Sequence, residues 1–95
     1  MWNLISQRIE NGKYIFKNHA KKRLIDRKIT DLDVINILEN KKNRKRNKIK
    51  DKYLSGHADW NYCIEGTDTD ERKIRIIVSF GSGFLLVITV IRLRN

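Results

Sequence analysis

The feature that most constrains this chain is a change of period at its midpoint. Before residue 40 the apolar residues recur at helical spacing; from Trp60 onward they alternate. Trp60, Tyr62 and Ile64 alternate with Asn61, Cys63 and Glu65, and Ile74, Ile76, Val78 and Phe80 alternate with Lys73, Arg75, Ile77 and Ser79. Successive side chains of a strand point to opposite faces, so this spacing belongs to strands with one face buried. Gly66 to Asp70 reads as a turn, and Gly81-Ser82-Gly83 as a tight hairpin connection. Phe84 to Ile91 is apolar at almost every position, which suits a central strand covered on both sides. The second half is therefore expected to be an antiparallel meander of three to four strands.

The first half reads as helices. Leu4, Ile5 and Ile9 share one face of a short helix over residues 3 to 10, ended by Asn11-Gly12. Tyr14-Ile15-Phe16 is a candidate edge strand. Asn18 can cap a second helix starting at His19, with Ala20, Leu24 and Ile25 towards the core. Thr30 is suited to N-cap a third helix, because Asp31 and Asp33 favour its first turn and Ile29 and Val34 can form a hydrophobic staple. Val34, Ile35 and Leu38 then form its buried stripe. With no proline, linker or internal repeat, residues 1–95 read as one α+β domain. Its N-terminal helices should pack on one face of the meander. The other face, carrying Arg75, Ser79 and Thr89, is expected to be a polar, basic platform for a nucleic-acid strand.

Charge narrows the partners. The chain carries 21 Lys+Arg against 11 Asp+Glu, a net +10. Such a surface attracts nucleic acid, an anionic membrane or an acidic protein, and says nothing about fold. The charge is concentrated: between residues 41 and 52 stand eight basic residues and one acidic residue. Lys41, Lys42, Arg44, Lys45, Arg46, Lys48, Lys50 and Lys52 are the candidate nucleic-acid-binding set. Self-repulsion predicts that they form an exposed loop or a frayed helix extension. A solvated loop that binds nothing strongly is the plain alternative.

One cysteine, Cys63, leaves no internal disulfide and reads as a small buried apolar residue. Two histidines and that cysteine fall short of the usual zinc spacings, so neither metal nor cofactor is expected. The start of the chain lacks a basic segment followed by an apolar one, and no apolar run is long enough to cross a bilayer. No membrane partner and a cytoplasmic location are the resulting expectations.

Three places could carry chemistry. His19, Arg23 and Arg27 recur at i, i+4 and i+8, one ridge on a helix. Imidazole moves protons near neutral pH, and guanidinium grips phosphate in bidentate fashion, so the ridge could hold and cleave a phosphodiester. Its plain alternative is a capped helix with a solvated face. On the sheet, Tyr62 and Arg75, with Thr89, form a second cluster suited to metal-free RNA cleavage, in which the ribose 2′-OH attacks the adjacent phosphate. Packing with Trp60 and Ile64 is the alternative for Tyr62. His57, in Ser55-Gly56-His57-Ala58-Asp59, is either a loop base beside an aspartate or an ordinary exposed residue. There is no glycine-rich phosphate loop, nucleophile elbow or paired-carboxylate motif.

The series Phe16-x-x-His19-Ala20-x-x-Arg23-x-x-x-Arg27-x-Ile29, then Asp33-Val34, Leu38, Tyr62-x-Ile64-x-Gly66 and a final Val87-Ile88-Thr89-Val90 strand, resembles an uncharacterised bacterial family of small domains. Many of these stand alone or in toxin modules. The family looks related to the RelE/ParE-like toxin superfamily, with the MqsR and BrnT toxins as nearer relatives. The resemblance spans residues 14 to 92, and its His-Ala-x-x-Arg segment is the most specific part. It implies a microbial-ribonuclease-like α+β fold, metal-independent cleavage of RNA, often mRNA, and inhibition by a cognate antitoxin. His19, Arg23 and Arg27 fall on the signature positions and Tyr62 on the strand motif. Some superfamily members target gyrase; the long basic run favours a nucleic-acid target here.

The combined expectation is a toxin-type endoribonuclease: the 41–52 cations hold the RNA backbone, Arg23, Arg27 and Arg75 neutralise the reacting phosphate, and His19 or Tyr62 handles protons. A non-catalytic RNA- or DNA-binding module, and an interaction protein docking an acidic partner, are the two alternatives.

Overall fold

The computed structural model describes residues 1–48, 52–53 and 60–93. Three helices come first: α1 (Trp2–Glu10), then a short strand β1 (Tyr14–Phe16), α2 (Asn18–Arg27) and α3 (Asp31–Glu39). Five strands follow: β2 (Lys45–Arg46), β3 (Lys52–Tyr53), β4 (Trp60–Thr67), β5 (Lys73–Gly81) and β6 (Phe84–Arg92).

The expected meander is present as β4-β5-β6, antiparallel throughout. It is extended on both sides into a mixed sheet with the order β1-β6-β5-β4-β2. β1 lies parallel to β6, held by Lys17 N donating to Val87 O and Leu85 N donating to Lys13 O, each at 2.9 Å. The expectation of a purely antiparallel sheet of three to four strands is thus corrected. A three-residue strand carries no periodicity that names its partner, and β6 needed a neighbour on its second edge. The described part of the basic run is also not the plain loop or helix extension expected. After a turn at residues 41–43 it enters the sheet, where Lys45 and Arg46 pair with Glu65 and Ile64. β3 pairs with the first residues of β4.

All three helices cover one face. Ile5 and Ile9 of α1, Ala20 of α2, and Val34, Ile37 and Leu38 of α3 bury against Ile64, Ile74, Ile76, Val78, Leu85, Val87 and Val90. The spacing within β6 changes from two to three between Val87 and Val90. Ile77 pairs with Thr89, but Val78 pairs with Val87. A bulge at this point absorbs one extra residue and keeps the valines on the core side. Gly66, expected to open a turn, belongs to β4 instead. A Cβ there would stand 2.5 Å from Ile37 Cγ2, so only glycine lets α3 approach the strand this closely.

The caps explain the helix boundaries. Thr30 is the N-cap of α3 as expected, and the contact is reciprocal: Thr30 Oγ1 accepts from Asp33 N at 3.1 Å and Thr30 N donates to Asp33 Oδ2 at 3.0 Å, a capping box. Ile29 and Val34 are both buried beside it. Asn18, by contrast, lies inside α2; Lys17 takes the cap position and no side chain caps that end. α2 stops because Lys28 turns into the left-handed region, φ 55°, letting Ile29 N reach Leu24 O.

The face away from the helices is less polar than expected. Register places Cys63, Ile77, Leu86, Thr89 and Ile91 there together with Arg75 and Ser79. Cys63 and Ser79 are buried, and Ser79 Oγ donates to Trp60 O at 3.1 Å. It is an apolar surface with charge at one margin, not a basic platform.

Candidate functional site

Helix α2 packs on β6 through Ala20, and this fixes its rotation. His19 and Arg27 are then exposed and Arg23 half-buried, in the single ridge their spacing predicts. Arg23 Nε donates to His19 Nε2 at 3.5 Å. The imidazole nitrogen is the acceptor in that contact. Both groups are open to a ligand from solvent.

The sheet cluster does not assemble. Tyr62 stands on the helix-bearing face, opposite Val78, whereas Arg75 and Thr89 stand on the other. Tyr62 packs edge-on to Phe80, with centroids 5.8 Å apart, and Arg46 lies 4.8 Å over its ring. Arg75 Nε bonds Glu65 Oε2 at 2.8 Å across the strand pair. The pleat decides this: Tyr62 and Arg75 have opposite parity along paired strands.

The basic run divides into two chemical groups. Its first arginine, Arg44, lies 4.4 Å over the Trp2 ring and donates through Nη1 to Leu38 O at 2.5 Å. Burial lowers the pKa of Arg44, and Glu39 partly offsets that. Arg46 covers Tyr62. These two side chains fasten the segment to the core through guanidinium stacking on aromatic faces. Lys41, Lys42, Lys45 and Lys48 are exposed. Lys50, the side chain of Lys52, and His57 with its loop lie outside the described residues.

Two polar features were missed in the sequence. The first is a tie at the β4–β5 turn. Arg72 Nε bonds Asp68 Oδ2 at 2.6 Å, Nη1 donates to Lys28 O at 3.2 Å, and Nη2 lies 3.8 Å from Asp33 Oδ2. One guanidinium thus joins the turn to the α2–α3 junction. The second is a pair of adjoining grooves. One, about 210 Å³, is lined by Asp33, Asn36, Asn40, Asn43, Thr67, Asp68 and Thr69. The other, about 200 Å³, shares Asn43 and Thr67 and continues past Lys45, Glu65 and Lys73. The visible signal was asparagine at 36, 40, 43 and 47, an i, i+4, i+7, i+11 spacing hidden among the charges.

Three helices on one face of a mixed sheet, with an exposed His–Arg ridge and a lysine-bearing edge, define a small basic α+β domain. The chain belongs to the family described as a domain of unknown function (DUF4258), whose profile matches residues 16–92. No curated protein and no solved structure matches the chain. The match begins within β1, so α1, which supplies Ile5 and Ile9 to the core, stands outside it. No helix among the described residues is long and apolar enough to cross a membrane.

Proposed function

We propose that the protein is a toxin-type, metal-independent endoribonuclease that acts on mRNA and is neutralised by an acidic antitoxin. The observation that carries this reading is the contact of exposed His19 with half-buried Arg23 on a helix of a strongly basic domain. In the reaction the ribose 2′-OH loses its proton and attacks phosphorus. The P–O5′ bond breaks, and O5′ takes a proton as it leaves. The products are a 2′,3′-cyclic phosphate and a 5′-hydroxyl. His19 is assigned to proton transfer, and Arg23 and Arg27 to the charge developing on the phosphate. Arg75 is engaged with Glu65 on the far side of the sheet, and Tyr62 lies under Arg46, so neither is assigned to that phosphate. Helices packed on a central antiparallel meander are consistent with a RelE-like, microbial-ribonuclease-like fold. A protein partner is supported by Ile25 and Leu32, 80% and 60% exposed, the first within the basic helix α2.

Purified protein incubated with an mRNA in EDTA should cleave it, and induced expression should arrest growth. His19→Ala should lower cleavage by about 10²-fold or more, the usual contribution of a positioned proton-transfer group. Absence of cleavage together with unimpaired growth overturns the reading. The exposed lysines of the 41–48 segment favour one second reading, a binder that does not cut. It holds if His19→Ala preserves both RNA binding and phenotype while neutralising Lys41, Lys42, Lys45 and Lys48 abolishes them.

A further inference from the structure

The two joined grooves between α3 and the β4–β5 region differ in chemistry from end to end. One end carries amides, hydroxyls and carboxylates: Asn36, Asn40, Asp33 and Thr69. The other carries Lys45 and Lys73, with Glu65 between them engaged by Arg75 at 2.8 Å and by the Asn47 amide. Asn43 and Thr67 stand where they meet. Asn40 Oδ1 accepts from Lys42 N, which orients its amide, and Asp33 and Asp68 are held by the capping box and by Arg72. The amides of Asn36 and Asn43 have no partner among the described residues. Negative charge at one end repels phosphate; the lysines at the other attract it.

We propose that this groove binds one nucleotide of single-stranded RNA, with the base at the asparagine end and its phosphate at Lys45 and Lys73. The groove selects adenine or cytosine over uracil. A primary amide can pair bidentately with adenine, and a carboxylate accepts from an exocyclic amino group. Uracil presents a carbonyl where adenine and cytosine present that amino group, which sets acceptor against acceptor at Asp33. Each arm, at about 200 Å³, is smaller than the ~300–1,000 Å³ of a typical cofactor site. That size suits one base and one phosphate. The proposal rests on the reading of RNA as substrate, and adds a subsite separate from the His19 ridge that reads the sequence to be cut.

The test is binding of labelled 2′-O-methyl oligomers of A, C and U to the wild-type protein. These lack the attacking hydroxyl, so the result does not depend on cleavage. Oligo(A) and oligo(C) should bind about tenfold more tightly than oligo(U), the scale of one bidentate contact. Asp33→Asn, which keeps an oxygen for Thr30 N but lets the side chain donate to a uracil carbonyl, should abolish the preference, whereas Asn36→Ala with Asn43→Ala should weaken binding of the bases and leave thermal unfolding unchanged, since both side chains are exposed. Lys45→Ala with Lys73→Ala should weaken all three oligomers alike. On adding oligo(A), side-chain amide signals of Asn36, Asn40 and Asn43 should shift in the wild-type NMR spectrum. That measurement needs no variant to fold. Equal binding of the three oligomers, no binding at all, or a preference that survives in the folded Asp33→Asn variant overturns the proposal. Cleavage of mRNA without base preference removes this subsite alone; base preference without cleavage removes the nuclease reading alone.

Discussion

Asp68 satisfies three donors with one carboxylate whose side chain is 1% exposed: Asp70 N at 3.0 Å, Arg72 N at 2.8 Å and Arg72 Nε at 2.6 Å. Burial by itself would raise its pKa, but the backbone and side-chain hydrogen bonds and the charge of Arg72 outweigh it, and the pKa is lowered. A carboxylate depressed in the folded state stabilises the fold above its unfolded value, roughly pH 4, and that contribution is lost as pH falls through the folded value. Denaturant unfolding followed from pH 7 to pH 2 should therefore show an acid loss of stability. Asp68→Asn should remove part of that loss and cost about 1–3 kcal/mol at pH 7, the cost of leaving buried donors poorly satisfied. Lys28 offers the opposite change. It holds φ 55° and ψ 44° without being glycine. Lys28→Gly should stabilise the protein by about 1 kcal/mol, read as a higher denaturation midpoint, because the Cβ penalty disappears while its carbonyl still receives Arg72. Neither role was visible in the sequence: Asp68 fell within the stretch read as a turn, and a left-handed lysine has no pattern.

At the scale of elements, the closest fit is between α3 and β4. Gly66→Ala should destabilise by about 1–3 kcal/mol through overpacking against Ile37. Adding Ile37→Leu, which removes the β-branch methyl in the way, should recover part of the loss. A double-mutant cycle on the unfolding midpoint checks this, and strict additivity would refute the close approach. The helices and the three long strands were legible because period and capping are local properties: Thr30, Asp33 and the alternation at Ile74, Ile76 and Val78 announce themselves. β2 was not, because charge repulsion argued for a loop. The outcome turned on Arg44 and Arg46 lying flat on Trp2 and Tyr62, partners distant in sequence. The bulge in β6 likewise left no trace in an almost uniformly apolar run.

For the whole molecule, charge and fold separate. The helices and the core lie on one side of the sheet, while the exposed lysines of the 41–48 segment lie at its β2 edge and the His–Arg ridge lies on the helix packed over β6. If RNA engages the lysines, binding should fall linearly on a log–log plot against salt. Neutralising Lys41, Lys42, Lys45 and Lys48 should then reduce the slope by about one for each phosphate no longer neutralised, measured by titration at several salt concentrations. The amino-acid sequence by itself determined the α+β class, the Thr30 cap of α3, the meander, the net charge and the His19, Arg23, Arg27 ridge, because each depends on residues within about two helical turns or on a sum over the chain. Tertiary structure decided the rest. It put Tyr62 and Arg75 on opposite faces, set β1 parallel on β6, drew two arginines out of the cationic run into packing, and brought Asn36 and Asn43 into one groove with Lys73. Those outcomes depend on strand parity and on the pairing of distant segments, which the packing of one core selects together.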